Sequence, residues 1–343
     1  MADNPGKGIA CAGNWIVDLV KVIDWYPHEN TLSNILAESM GGGGCAHNVT
    51  LNLAKFDPTL ALYAIGLIGA DRNGDYIVSQ CSQFPNINTS QLLRTEAEKT
   101  SYTDVFSVKG TARRTFFHYR GANRLFAPPR VNLDKLPVAM FHLGYLLLLD
   151  SMDQSDGEFQ TVAARFLCEV QKRNLKTSID IVSEDSDRFN QIVPPALKYT
   201  NYCIINDFEA EKVSGIAVRS GDKIPPGNLR KMAKALFSHG VNDLVVIHFP
   251  EGAYLSSKDG LEIMQPSLLL PDEFIAGSAG AGDAFCAGVL YGLYQGWSYD
   301  QTLRFAVCAG GMNLSDLTTT GGIRPCGEIF SMEERFPYRT DVF

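Results

Sequence analysis

The chain has 343 residues, room for one large α/β domain or two ordinary ones. Its 45% hydrophobic and 20% charged residues fit a soluble enzyme, and a net charge of −8 argues against nucleic acid or an anionic membrane as partner. Eight scattered cysteines without a C-x-x-C pair or zinc spacing predict reduced, mostly buried thiols and a cytoplasmic protein.

Residues 1–8 carry no signal-peptide pattern, and the apolar run 146–149 is far too short to cross a bilayer. Residues 8–13 (Gly-Ile-Ala-Cys-Ala-Gly) read as a short buried strand. Asp18 follows five residues after Gly13, which suggests a carboxylate at the carboxyl edge of a strand, where open α/β sheets bind ligands. Residues 41–54 are a run of four glycines feeding a helix. Such a run costs backbone entropy unless something must approach the backbone closely. His47, at the helix start, reads as a locally packed side chain. Residues 59–69 form a further strand, followed by a structural turn with Asp71, Gly74 and Asp75. Residues 102–108 and 113–119 alternate β-favouring side chains around Lys109-Gly110, the pattern of a hairpin. Its Arg114 and Arg120 are read as solvated. From residue 138 onward, β-rich runs at 138–144, 176–182, 202–206 and 244–249 alternate with helical spacing, which predicts a mostly parallel, doubly wound sheet. Asn206 and Glu209 stand three apart at a helix start, so their oxygens project to one side and suit a hydrated Mg²⁺ or, alternatively, a helix cap. No repeat or long linker interrupts the chain, so one domain over 1–343 is expected.

The stretch 277–296 organises the rest. Gly280, Ala281 and Gly282 leave backbone N–H groups bare at the start of an apolar helix, which makes an anion site. Asp283 in the first turn is either a capping acid or a base placed to take a proton from an attacking hydroxyl. Gly288 and Gly292 give this helix a small face that a neighbouring element can approach closely.

Gly280-Ala281-Gly282-Asp283 followed by Ala284-Phe285 resembles the C-terminal signature of the ribokinase-like (pfkB) carbohydrate kinases. Gly43, Gly44 and Asn48 are similar to the N-terminal Gly-Gly signature of that family, and Asn206-x-x-Glu209 is similar to its Asn-x-x-Glu motif. The chain lacks a P-loop, and Phe285 stands where a dinucleotide fingerprint wants its third glycine. The resemblance implies a doubly wound α/β fold with a small β-lid built from segments of about 15–40 and 98–126. It implies ATP-dependent phosphorylation of a hydroxymethyl group on a sugar or sugar-like molecule. Asp283 would be the base, and Gly280, Ala281 and Gly282 the anion hole. Asp18, Gly43, Gly44 and Asn48 would hold the acceptor, while Asn206 and Glu209 serve Mg²⁺ and the phosphates. A homodimer through the lid is one assembly it implies. Two departures stand out. His248-Phe249-Pro250-Glu251-Gly252-Ala253 replaces the usual Thr-x-Gly-x-x-Gly, leaving His248 and Gly252 as the residues expected at the nucleotide. Gly277-Ser278-Ala279 replaces Asp-Thr-Thr, removing oxygens that help K⁺-activated relatives hold their ion. A nucleoside kinase on the same fold and a non-catalytic sugar or nucleotide sensor are the alternative readings.

Overall fold

A computed structural model describes residues 7–110, 114–184, 186–221, 223–340 and 342–343. Strand β1 (Ile9–Gly13) is wholly buried, as its run of small and apolar residues requires. It lies inside a nine-stranded sheet, between β4 (Leu62–Gly69) and β8 (Met140–Leu146). Beyond β4 lies β5 (Ile87–Thr95). Beyond β8 come β11 (Lys176–Ile181), β12 (Tyr202–Asn206), β13 (Leu244–Phe249), β14 (Gly252–Ser257) and β15 (Glu262–Pro266). All neighbours from β5 to β13 pair in parallel; β14 alone is reversed, so the β13–β14 and β14–β15 pairs are antiparallel. The four β-rich runs from residue 138 onward are thus β8, β11, β12 and β13; β8 is displaced by two residues and β11 ends one residue early.

Parallel strands need crossovers, and helices supply them on both faces. Helix α1 (Cys45–Phe56) buries eleven of its twelve residues. Helices α2 (Arg72–Ser82), the short α3 (Asp150–Asp153), α4 (Val162–Gln171), α5 (Phe189–Leu197), α6 (Asp207–Ser214) and α7 (Pro226–Ser238) follow in chain order. A two-residue pair, β9 (Ser155–Asp156) and β10 (Gln160–Thr161), separates α3 from α4. Two helices close the chain's core: α8 (Ala281–Tyr294) and α9 (Tyr299–Asn313). They lie in close contact because a Cβ at Gly288 would strike Ala306, and one at Gly292 would strike Thr302. Two large apolar clusters cover the two faces of the sheet, one built on Phe141, Phe166 and Leu236, the other on Val49, Leu290 and Phe305. All eight cysteines are free thiols, and six of them are buried.

A second sheet of four strands stands apart in hydrogen bonding. Its order is β3 (Ile35–Gly43), β2 (Ile16–Ile23), β6 (Ser101–Val108) and β7 (Arg114–Tyr119). The hairpin expected from the sequence is the β6–β7 pair, with Tyr102 opposite Tyr119. Residues 111–113 of that hairpin, including Arg113, lie outside the described residues. Asp18 belongs to this sheet, opposite Gly41 on one side and Thr103 on the other. It does not end a strand of the large sheet, because the chain leaves β1 at Gly13 and starts a new strand three residues later. Arg120, read as solvated, instead binds Asp150 at 2.6 Å, Glu184 at 3.3 Å and the Leu147 carbonyl. It ties the end of β7 to the large sheet.

Candidate active site

Helix α8 starts at Gly280, whose φ of 77° is left-handed and whose missing Cβ leaves room for the Thr319 backbone. No side chain caps this helix, so its first-turn amides stay open to an anion. Asp283 sits in that first turn and is only 7% exposed. Asn48 Nδ2 donates to its Oδ2 at 2.7 Å, and Tyr145 Oη donates to its Oδ1 at 3.0 Å. Burial raises the Asp283 carboxyl above its ordinary range, and these two donors draw it part of the way back. Burial and the nearby Asp283 charge hold the Tyr145 phenol well above its own, so it remains a donor.

Two spaces meet at this helix start. One is a cavity of about 570 Å³, lined by Asn206, His248, Gly252, Ala281, Gly282 and Phe285 among others. The His248 ring lies against Phe285 with centroids 4.9 Å apart, and burial draws it down to about 4, so it is a neutral imidazole. A Cβ at Gly282 would come within 3.2 Å of that ring.

On the other side, the glycine run before α1 faces Asp18. A Cβ at Gly43 would collide with the Asp18 carboxylate, and one at Gly42 with the His47 ring. Gly44, at φ 86°, passes close over the Asn14 carbonyl. Burial and then the Asp283 charge push Asp18 up to about 6, against the Thr103 hydroxyl and the Arg114 charge. The Arg114 guanidinium also lies 3.1 Å from where a Gly277 Cβ would be. Asn48 is held from behind. Its Oδ1 accepts from Thr319 Oγ1 at 3.0 Å and lies 3.0 Å from His47 Nδ1, which turns its amide nitrogen to Asp283.

Asn206 and Glu209 form a complete capping box at the start of α6. Asn206 Oδ1 accepts from the Glu209 N–H at 2.9 Å, and Glu209 Oε2 accepts from the Asn206 N–H at 3.0 Å. Ser183 and Asn206 Nδ2 donate to Glu209 Oε1. Burial lifts Glu209 to about 7 against these donors, with Asp283 adding to the rise. Asp180, at the end of β11, is raised well above the carboxylate range by burial and then by the Glu209 and Asp283 charges. Asp283 thus raises both Glu209 and Asp180, Glu209 raises Asp180 as well, and a set of hard oxygen donors of this kind suits Mg²⁺.

Residues 7–324 match the pfkB family carbohydrate kinase profile. The chain belongs to this family. It is an ATP-dependent carbohydrate kinase. A nucleoside kinase of Methanocaldococcus jannaschii is 23% identical over 300 residues, covering 85% of each chain. The structure of an Arabidopsis thaliana ribokinase complexed with ribose and ATP superposes with a TM-score of 0.78 at 16% identity, covering 95% of this chain and 98% of that one. A fructokinase from Xylella fastidiosa with bound ATP gives a TM-score of 0.75 at 18% identity, over 96% and 99% of the two chains. No helix of the described residues is long and apolar enough to cross a membrane.

For a kinase of this family, the chain brings most of the residues singled out in the sequence to one place. Asp283 and Asn48 touch, Asp18 and Gly43 face each other, and Asn206, His248 and Gly252 share the cavity with Ala281 and Gly282. Sequence reading missed Tyr145 and Asp180. Both sit at the carboxyl ends of parallel strands, β8 and β11. Asp180 carried a signal: an acid closing a predicted buried strand. Tyr145 carried none, being one residue in the run Gly-Tyr-Leu-Leu-Leu-Leu.

Proposed function

We propose that this kinase transfers the γ-phosphoryl of ATP to a hydroxymethyl group of a sugar or sugar-like acceptor. The observation that carries this reading is the place of Asp283: a buried carboxylate at an uncapped helix start, between a nucleotide-sized cavity and the Asp18–Gly43 face. Asp283 Oδ1 or Oδ2 would accept the hydroxyl proton, with Asn48 and Tyr145 fixing its plane. The amides of Gly280, Ala281, Gly282 and Asp283 would stabilise charge on the moving phosphoryl. Asp18, Gly43, Gly44 and Asn48 would position the acceptor, and His248 and Gly252 would border the nucleotide. Asp180, Glu209 and Asn206 fit the holding of Mg²⁺, directly or through water. When bound, that ion neutralises charge on the polyphosphate. The capping box at Asn206 does not exclude this role, since it keeps the Glu209 carboxylate pointed toward the sheet edge.

The four-stranded sheet would serve as the lid that keeps water from the phosphoryl. Its edge strand β3 is exposed from Ile35 to Met40 on both faces, and Phe116 and Phe117 of β7 are 62% and 53% exposed. Such a surface suits a second copy of the chain. Sedimentation velocity would show a dimer, and Phe116→Glu would dissociate it.

Nucleoside phosphorylation is the second reading, favoured by the 23% identity to an archaeal nucleoside kinase across most of both chains. An ADP-release assay over a panel of sugars and nucleosides decides between them. Turnover on a hexose or pentose alone supports the first reading, and turnover on nucleosides alone replaces it.

A further inference from the structure

We propose that Cys45, His142 and Asp180 form a binding site for a soft divalent cation of the zinc type, and that its occupancy inhibits the kinase. The site itself stands on its own geometry; only the inhibition rests on the reading of Asp283 and Asp180 given above.

One ligand atom from each of the three side chains lies within 4.8 Å of the other two. Two adjacent strands and a helix start build this cluster. His142 and Ser178 are paired neighbours on β8 and β11, and Gly144 and Asp180 follow two residues along each strand, on the same face. Cys45 opens α1 above them. His142 Nε2 is 2.9 Å from Cys45 Sγ, and its Nδ1 is 3.1 Å from Ser178 Oγ. That second contact is the kind of outer partner that fixes a metal-binding imidazole, leaving Nε2 free to turn to an ion. Gly144 keeps the centre open: a Cβ there would come within 2.7 Å of Cys45 Sγ and 3.1 Å of the Asp180 Cβ. Cys45 and His142 are fully buried, while Asp180 is partly exposed and gives the ion a way in.

The donor set is one sulfur, one nitrogen and one oxygen, which favours zinc-like ions over Mg²⁺, whose preference is for oxygen alone. The Cys45 thiol and His142 Nε2 lie within hydrogen-bonding distance. On binding, the S–H bond breaks, an S–metal bond forms, and the proton leaves to solvent. The Nε2 lone pair then turns to the ion, and water completes four-coordination. A cation here engages Asp180 and borders Asp283, so both carboxylates lose their part in phosphoryl transfer.

The test uses the chelator-treated kinase and Co²⁺ alone as a spectroscopic probe. The expected result is one equivalent bound per chain, a thiolate-to-cobalt absorption in the near ultraviolet, and loss of that absorption on adding Zn²⁺. Cys45→Ala should remove the band, and Ser178→Ala, a mild change, should weaken Co²⁺ affinity by roughly 10–100-fold. Cys326→Ser, outside this cluster, should leave the band unchanged. Absence of the band in the native chain, or its survival in Cys45→Ala, overturns the site. Zn²⁺ should also slow ADP release reversibly in the native enzyme. Binding without slowing overturns the inhibitory role. A zinc-free enzyme supplied with Mg²⁺ that releases no ADP on any acceptor points instead to failure of the functional reading.

Discussion

Two glycine runs lead into two helices, α1 and α8, and the helices meet through the Asn48–Asp283 hydrogen bond. Both begin at a glycine of positive φ, and neither has a side-chain cap. Their glycines nonetheless do different work. Before α1, the missing Cβ atoms at Gly43 and Gly42 make room for side chains, Asp18 and the His47 ring, and Gly44 alone clears backbone, at Asn14. Before α8, the missing Cβ at Gly280 makes room for backbone, and the first turn offers amides and the Asp283 carboxylate. The same local composition therefore yields a recess shaped by neighbours in one case and a charged chemical centre in the other.

Substitutions can separate the two roles. Asp283→Asn should lower kcat by roughly 10²–10⁴-fold or more while leaving ATP and acceptor binding nearly intact, since it removes the base and keeps the shape. Near-normal turnover in the purified variant would remove Asp283 from that role. Gly43→Ala should act on the recess instead. Overpacking against Asp18 typically costs 1–3 kcal/mol, so kcat/KM for the acceptor should fall by roughly 10–100-fold with KM for ATP unmoved. An equal loss on both substrates would show that the two runs are not separable.

Glu209→Gln sharpens the picture on the nucleotide side. The amide oxygen can still accept from the Asn206 N–H, so the cap survives while the charge is lost. The Mg²⁺ concentration for half-maximal rate should rise more than KM for the acceptor. An unchanged Mg²⁺ titration would leave Glu209 as a helix cap only.

A smaller effect concerns pH. Folding raises Asp18 to about 6 and Asp153 to about 7, each chiefly by burial, from ordinary values near 4. The folded chain therefore binds more protons than the unfolded one in that window. The contribution of these groups to stability is full below about pH 4 and is lost as pH rises through 6 and 7. Thermal melts of the ligand-free protein should show Asp18→Asn and Asp153→Asn flattening this decline. A wild-type Tm that climbs across the same range, with the variants parallel to it, contradicts the assignment.

The smallest expected effect is that of K⁺. Gly277 and Ala279 supply no side-chain oxygen, and the Ala279 carbonyl already accepts from Asn313 Nδ2 at 2.8 Å. Initial rates should respond to KCl no more than to choline chloride at equal ionic strength. Saturable activation by K⁺ alone would show that carbonyls and water rebuild the ion site.

Local chemistry explains what could be read in advance. Periodicity marked β12 and β13 to the residue, because buried parallel strands are continuous apolar runs bounded by polar turns. Gly280 and Asp283 were legible because backbone requirements confine such positions to few residue types. Asp18 was legible as a candidate but misplaced, since no local signal says that residues 14–15 carry the chain from one sheet to another. Tyr145 was silent, because its role depends on a partner 138 residues away. Arg120 was read as solvated for the same reason; Asp150 and Glu184 reach it only through the fold.

Thr319 closes the site from the far end of the chain. Its hydroxyl reaches the Gly42 carbonyl and Asn48, while its backbone fills the space left by Gly280. Seen as an order of events during synthesis, this clasp comes last. Asn48 emerges 235 residues before Asp283, an interval of roughly 12–47 s at the usual 5–20 residues per second. Over that interval α1 has neither α8 to pack against nor Asp283 to bind. The nascent chain must carry an apolar helix and an open glycine run until its last fifth arrives. Until then the face of α1 that packs on α8 stays uncovered.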